Sequence, residues 1–271
     1  MQFARQEREG VPFYAAGELN CGGAVHGFST RLGGVSKSPF DSLDLGLGRG
    51  DDPADVAENF RRFCAAIGAE ESPARLVCSK QVHTDTVRTV TMADAGKGLL
   101  RERDYEADGL MTDVPGLVLA VFSADCIPIL FHDPVRRVVA ACHAGWRGTA
   151  MGIARKTVQR MGEVYGSDPG DIRCAIGPGI SRCCFETDDD VPSAMRAALG
   201  NETEAFIDTH PNGKFHVDLK GINRHWLLSA GVPVEQITIC SACTACDTAT
   251  FFSHRRTGNA RGSLAALIQL L

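Results

Sequence analysis

Three side chains that could bind a metal or react chemically lie in short segments rich in small residues. His83 closes the run Lys-Gln-Val-His, Cys126 closes Ser-Ala-Asp-Cys, and His143 opens His-Ala-Gly-Trp-Arg-Gly. One thiolate and two imidazoles are a suitable ligand set for Zn²⁺, and the absence of an obvious fourth ligand leaves a position open for water. Without a metal, Cys126 could be a nucleophile or base that His143 polarises, with Asp125 or His83 orienting the pair. Purely structural roles for these residues are the alternative.

A second segment, 28–36, has the residue types that bind an oxyanion. It places Ser29 and Arg31 at the end of a predicted strand, directly before a Gly pair. Hydroxyls, backbone N–H groups and a guanidinium together suit phosphate, although a plain β-turn would use the same residues. Arg147 is the candidate for a second cationic contact. Trp146 could pack in the core or form an aromatic wall for a planar base.

A third group consists of Cys240, Cys243 and Cys246, which form two overlapping C-x-x-C steps. Such steps occur in zinc and iron–sulfur ligand sets, and His254 is the candidate for a fourth ligand. A non-enzymatic metal or redox module is therefore one alternative function. The pair Cys183-Cys184 is interpreted as one core thiol and one surface thiol.

Short apolar runs between Gly and Pro residues predict that these groups lie at the ends of buried strands. Helical spacing predicts helices over 54–67, 149–165, 188–199 and 219–230, with Thr149 as the N-cap of the second. The predicted strands are 24–29, 75–78, 86–90, 109–112, 117–122, 127–132, 138–142, 173–176 and 236–239. Strands and helices do not alternate strictly, which favours an α+β arrangement of layers in one domain.

The composition narrows the class of protein. The chain has 271 residues, of which 44% are hydrophobic, enough for a sizeable core. Its net charge of −5 gives no electrostatic reason to expect a nucleic acid or membrane partner. The start of the chain has no apolar signal-peptide core, and no run approaches the ~20 apolar residues that cross a bilayer. We therefore expect a cytoplasmic protein whose 11 cysteines are mostly reduced.

The order of several motifs resembles that of the bacterial laccase-domain family, whose members are labelled polyphenol oxidase, purine nucleoside phosphorylase or peptidoglycan editing factor. The similarity extends from about Gly27 to the C-terminus. The motifs are Thr30-Arg31-Leu32-Gly33-Gly34-Val35-Ser36, Gly50-Asp51-Asp52, Gln81-Val82-His83, Ala107-Asp108-Gly109, Ala124-Asp125-Cys126-Ile127-Pro128, His143-Ala144-Gly145-Trp146-Arg147-Gly148, Ile176-Gly177-Pro178-Gly179-Ile180 and Phe252-Ser253-His254-Arg255-Arg256.

The resemblance implies a fold, a metal site and an activity. The implied fold is two packed mixed β-sheets with helices outside, in α/β/β/α layers, as a single domain over residues 1–271. The implied metal site holds zinc, or alternatively copper, on His83, Cys126 and His143. The implied activity is phosphorolysis of adenosine, inosine, guanosine and methylthioadenosine, together with deamination of adenosine. Deamination needs a proton-carrying carboxylic acid, for which Asp125 is the candidate.

Two further expectations concern the rival labels. The editing-factor label suggests an alternative enzyme, a Cys–His amide hydrolase that acts on mis-made peptidoglycan precursors through Cys126 and His143. The polyphenol oxidase label conflicts with the histidine content, because multicopper oxidases need several His-rich copper sites. This chain has eight histidines and no His-x-His pair.

Overall fold

Two large β-sheets lie at the centre of the fold in the computed structural model, which describes residues 3–69 and 73–271. The strands, in chain order, are β1 (Phe3–Arg8), β2 (Val11–Ala16), β3 (Ala24–Ser29), β4 (Leu76–Val77), β5 (Val87–Thr89), β6 (Gly109–Thr112), β7 (Val118–Ser123), β8 (Ile127–Asp133), β9 (Val138–Ala144), β10 (Arg173–Ile176), β11 (Glu186–Thr187), β12 (Ile207–Thr209), β13 (Phe215–Val217), β14 (Ile237–Ile239) and β15 (Leu264–Leu270). The α-helices are α1 (Pro53–Ile67), α2 (Trp146–Ala150), α3 (Ile153–Tyr165), α4 (Asp190–Leu199), α5 (Leu219–Ser229) and α6 (His254–Thr257). Short 3-10 helices cover Gly17–Asn20, Pro73–Arg75, Met92–Asp94, Gly200–Phe206 and Val234–Gln236.

Both large sheets are mixed. The first has the order β1-β2-β3-β15-β7-β4 and is antiparallel except where β4 runs parallel to β7. The second has the order β14-β10-β8-β9-β6-β5, with parallel pairs at its two edges. Strands β11, β13 and β12 form a small antiparallel sheet. This topology confirms the predicted fold class and differs from a doubly wound parallel sheet.

Apolar side chains define the four layers. Leu119, Ile268, Leu130 and Val139 belong to one buried cluster, which fills the space between the two sheets. The outer face of the first sheet packs against the apolar stripe of α1, and that of the second sheet packs against α3 and α5. Sheets with both faces covered read as continuous apolar runs, as β8 and β9 do.

The helix predicted over residues 149–165 is present as α3, Ile153–Tyr165, but its predicted start at Thr149 is wrong, because residues 146–150 form a separate helix, α2. Gly152 separates α2 from α3 and has a φ of +75°, in the left-handed region that ends a helix. The carbonyl oxygen of Thr149 accepts a hydrogen bond of 2.8 Å from Nε1 of Trp226, and Asn223 donates to the Thr149 hydroxyl. Thr149 therefore lies inside α2 and anchors α5, instead of capping a helix.

Three strands of the first sheet were not predicted: β1, β2 and β15. The last of these lies in the middle of the sheet, between β3 and β7.

Among the helices of residues 3–69 and 73–271, none combines the length and the apolar character required to traverse a lipid bilayer.

Candidate active site

The antiparallel pairing of β8 with β9 brings Cys126 and His143 together. Cys126 immediately precedes β8, whose first residues Ile127 and Pro128 pair with Ala144 and His143. His83 approaches from the loop between β4 and β5. The ligand atoms of His83, Cys126 and His143 lie within 4.8 Å of one another, so the predicted convergence of these side chains is confirmed.

The geometry of this group fits a tetrahedral metal ion. His83 Nε2 lies 3.8 Å from Cys126 Sγ, and bonds of about 2.1 and 2.3 Å at a tetrahedral angle would place these atoms about 3.6 Å apart. The two imidazole rings meet edge to face with centroids 4.9 Å apart. Gly145 makes room for them, because a Cβ atom there would lie 2.6 Å from His83 Cδ2 and 3.3 Å from Cys126 Sγ. The residues present therefore fit a zinc or copper ion.

Asp108 organises this group, and the sequence analysis did not assign it a role. Its carboxylate lies 2.8 Å from Nδ1 of His143, which fixes the imidazole ring and leaves Nε2 for the site. The same carboxylate accepts hydrogen bonds from the backbone N–H groups of Val82, His83 and Thr84. These bonds hold His83 at a φ of +63°, which is unfavourable for a residue with a side chain. The sequence feature that could have indicated a role for Asp108 is its place in Ala-Asp-Gly, directly before β6.

Cys126 and His143 form a pair in which charge is stabilised on both partners. Burial raises the pKa of the Cys126 thiol, but the positive charge of His143 and hydrogen bonds from both imidazoles bring it down to about 6. Burial lowers the pKa of His143, whereas the Cys126 thiolate and the Asp108 carboxylate raise it to about 9. Burial also opposes ionisation of Asp108, yet its hydrogen bond to His143 keeps the pKa of that carboxyl below its usual value. Each charge of the pair stabilises the other, which favours the thiolate–imidazolium form.

Asp125 is positioned by a different part of the chain. Its carboxylate accepts hydrogen bonds from the Thr244 hydroxyl at 2.6 Å, the Ser253 hydroxyl at 3.0 Å and the Arg255 backbone N–H at 2.7 Å. These contacts hold Asp125 at a φ of +94°, and this turn delivers Cys126 to the site. The arrangement favours a positioning role for Asp125, and its role as a proton carrier stays a prediction.

The three predicted phosphate ligands contact other protein groups and do not line the cavity beside His83, Cys126 and His143. The Arg31 guanidinium donates to the carbonyls of Asp41 and Thr248 and to the Asp41 carboxylate, and it stacks on Phe252. Ser29 is buried, with its hydroxyl accepting the Ala265 N–H. Arg147 stacks on the ring of Trp146. These three side chains are outside the set that lines the main cavity.

A cavity of about 460 Å³ opens over the His83–Cys126–His143 group. Aromatic residues line it, among them Trp146, so the alternative of an aromatic wall agrees with its position. The cavity wall also carries basic side chains that the sequence analysis missed, namely Arg49, Arg103, Arg255 and Arg261. Arg261 is notable because its Nε is buried and has no hydrogen-bond partner in the described structure. A buried donor without a partner is costly unless a ligand satisfies it.

Fold and site together define a class of protein: a layered α/β/β/α chain with a His–Cys–His group at the end of its second sheet. The comparison with known families specifies it further. Residues 25–271 match the family described as multi-copper polyphenol oxidoreductase laccase, and the chain belongs to that family.

Individual relatives resemble the chain over most of its length. A purine nucleoside phosphorylase YlmD of Geobacillus stearothermophilus is 42% identical over 94% of each chain. A protein named adenosine deaminase RL5, from an unknown prokaryotic organism, is 34% identical over 86% of this chain and 89% of its own. The solved structure of the Bacillus licheniformis hypothetical protein YfiH superposes with a TM-score of 0.92 at 36% identity, covering 98% of this chain and 99% of that one.

Proposed function

We propose that the chain is a purine nucleoside phosphorylase that acts on adenosine, inosine, guanosine and methylthioadenosine, and that it also deaminates adenosine. The observation that carries the proposal is the placement of His83, Cys126 and His143 at a cavity with both aromatic and basic walls. The names of the relatives, purine nucleoside phosphorylase and adenosine deaminase, support the same two reactions.

The cavity offers separate surfaces for the two substrates of phosphorolysis. Phe122, Trp146 and Phe185 provide apolar faces on which a purine ring can stack. Arg103, Arg255 and Arg261 provide guanidinium groups that can bind phosphate through paired N–H donors. We assign phosphate to this arginine group, because the Arg31 guanidinium already donates to protein acceptors.

In phosphorolysis a phosphate oxygen bonds to C1′ of the ribose as the bond from C1′ to the purine nitrogen breaks. The electron pair of that bond stays on the purine, which must gain a proton to leave as a neutral base. His143 is held protonated by Cys126 and Asp108, and His83 reaches the site from the solvent side. Either imidazole can donate the proton while its Nε2 is not bound to a metal, and general acids typically accelerate such a step by about 10²- to 10⁴-fold.

The proposed resident metal is zinc, with copper as the alternative, on His83 Nε2, Cys126 Sγ and His143 Nε2. When bound, such an ion supplies Lewis-acid polarisation and makes water a stronger acid, which is the chemistry that deamination requires. Asp108 then orients the His143 ligand, and Asp125 holds the turn that carries the Cys126 ligand.

A product assay on adenosine, with and without inorganic phosphate, tests the proposal. We expect adenine and ribose 1-phosphate when phosphate is present, and inosine in its absence. Formation of neither set of products by the metal-loaded protein would contradict the assignment. Inosine alone under both conditions would restrict the protein to deamination.

One specific observation favours a second function, amide hydrolysis. Cys126, His143 and Asp108 are linked in the order of a nucleophile, a base and an orienting carboxylate, with an activated thiol at the end. Such a triad could cleave a mis-made peptidoglycan precursor. Rapid alkylation of Cys126 by iodoacetamide with full retention of bound zinc would favour this free-thiol alternative.

The expected cytoplasmic location stays a prediction that rests on the 11 free cysteines.

A further inference from the structure

Four cysteines form a second cluster, which is separate from the His83–Cys126–His143 group. Cys183 and Cys184 lie in the segment between β10 and β11, and Cys243 and Cys246 follow β14. Their Sγ atoms all lie within 4.8 Å of one another. The pair distances include 3.8 Å for Cys183–Cys184, 3.5 Å for Cys183–Cys246 and 3.3 Å for Cys184–Cys246.

This cluster differs from the predicted group of Cys240, Cys243, Cys246 and His254. Cys240 is buried away from the cluster, and its carbonyl oxygen accepts a hydrogen bond from Lys220 Nζ. His254 Nδ1 is instead paired with the carbonyl oxygen of Gly258. The two missing positions are filled by Cys183 and Cys184. Cys183 is exposed as one surface thiol, but Cys184 is half-buried, so the prediction of one core thiol in this pair is wrong. Only one of the two C-x-x-C steps, Cys243 to Cys246, contributes both of its sulfur atoms.

We infer that Cys183, Cys184, Cys243 and Cys246 bind one Zn²⁺ ion as a tetrathiolate site. Zinc bound by four thiolates has Zn–S bonds of about 2.3 Å in a tetrahedron, which places the sulfurs about 3.8 Å apart. The distances among Cys183, Cys184 and Cys246, from 3.3 to 3.8 Å, match that spacing, and Cys243 Sγ lies within 4.8 Å of all three. They are far longer than the S–S bond of a disulfide, about 2.05 Å.

The surroundings of the cluster suit thiolates. The backbone N–H of Ser181 donates to Cys243 Sγ at 3.3 Å, and Arg256 Nη2 lies 3.6 Å from Cys184 Sγ. The buried Lys220 ammonium donates to the carbonyls of Cys240 and Ala242 beside the cluster. Four thiolates and one Zn²⁺ carry a net charge of −2, which these two cations offset.

The position of the cluster indicates a structural metal. Gly179 pairs with Cys243 in an isolated β-bridge, and the Arg255 guanidinium donates to the carbonyl oxygen of Cys184. A metal on these sulfurs would therefore join the segment that carries Ile180 and Phe185 of the cavity wall to the segment that anchors Asp125. A site closed by four protein ligands has no open position for a substrate.

Zinc content per chain measures this site directly. The full-length protein is purified without chelators, and zinc is quantified in the wild type and in Cys246→Ser and Cys183→Ser. We expect each substitution to remove one zinc equivalent. Cys240→Ser is the matched control, because Cys240 belongs to the same C-x-x-C run but lies outside the cluster, and it should retain that zinc. The same comparison in a Cys126→Ser background isolates this site from the His–Cys–His group.

A second measurement covers the case in which a serine variant does not fold. X-ray absorption at the zinc edge of the Cys126→Ser protein, in which the His–Cys–His group has lost its sulfur ligand, should show a site with four sulfur ligands. Intact mass under denaturing, non-reducing conditions should show no loss of hydrogen from these cysteines. A folded Cys246→Ser protein with unchanged zinc content would overturn the inference. So would a disulfide among the four cysteines, or iron in place of zinc in the purified protein.

Discussion

The positions of His83, Cys126 and His143 depend on two carboxylates that were not expected to act together. Asp108 orients His143 and holds the loop of His83, and Asp125 holds the turn before Cys126. Each carboxylate accepts several N–H or O–H groups. Asp108 holds His83 itself at positive φ, and Asp125 has a positive φ directly before Cys126. The site is therefore preorganised by buried hydrogen bonds.

Asp108→Asn tests this preorganisation. The amide keeps the shape of the side chain but has a single acceptor oxygen, so it cannot accept from all three N–H groups of the His83 loop. It also lacks the charge that raises the pKa of His143. We expect adenosine turnover or metal affinity to fall by about 10- to 100-fold, the usual cost of losing a partner of a metal ligand. Asp133→Asn is the matched control, since Asp133 is equally buried but caps the turn after β8. Equal losses in both variants would mean that only folding is affected.

Arg261 and Arg31 give opposite expectations for phosphate binding. Arg261 lines the cavity and has a buried Nε without a partner in the described structure, whereas the donors of Arg31 are occupied by Asp41 and Thr248. We expect Arg261→Ala to raise the KM for phosphate more than the KM for the nucleoside. Arg31→Ala should mainly lower the melting temperature. Steady-state kinetics with varied phosphate decide between them, and a phosphate effect confined to Arg31→Ala would contradict the assignment.

Among the elements, those with strong local signals were predicted and those defined by distant contacts were not. Helix α1 follows from its apolar spacing, from Asp52 as its N-cap and from Gly68 at its end. Strand β15, with the sequence Leu-Ala-Ala-Leu-Ile-Gln-Leu, lacks an alternating pattern and contains helix-favouring residues. Its pairing with β3, more than two hundred positions earlier, determines its structure. The proximity of Cys183 to Cys246 could likewise not be predicted, because the two residues are far apart in the sequence and no local pattern links them.

Asp44 links the segment before α1 to the start of β15, and it gives a pH dependence of stability. Its carboxylate accepts the N–H groups of Gly46 and Ser263. Burial raises the pKa of this carboxyl from 3.8 to about 6, although these N–H groups partly oppose the shift. Between pH 4 and 6 the folded state therefore holds a proton that the unfolded state releases, so this carboxyl makes stability fall as pH rises.

Asp44→Asn removes this titration. From pH 4 to pH 7 the wild type should lose about 2 kcal/mol of unfolding free energy relative to the variant. Urea unfolding of both proteins across this range measures the difference. A difference that stays constant with pH would show that Asp44 does not titrate as described.

At the scale of the whole molecule, residues held by both large sheets meet at one cavity. The second sheet supplies Cys126 and His143 at the ends of β8 and β9. The first sheet holds the loop of His83, because the Gln81 side chain in that loop forms two hydrogen bonds with the backbone of Phe122. The family resemblance predicted the layers and the three converging ligands. It did not indicate which arginines line the cavity, because those depend on how separate loops pack. The central claim is that nucleoside chemistry occurs where these elements meet.

Cys126→Ser tests that claim most directly, through adenosine turnover in phosphate measured alongside bound metal. The substitution keeps the side-chain shape but removes the soft ligand and the good nucleophile. Cys21→Ser, a half-buried cysteine outside the site, serves as the control. We predict loss of turnover and of the metal equivalent held by the His–Cys–His group, with an unchanged circular dichroism spectrum. Near-normal formation of adenine and ribose 1-phosphate by a folded Cys126→Ser protein would contradict the account.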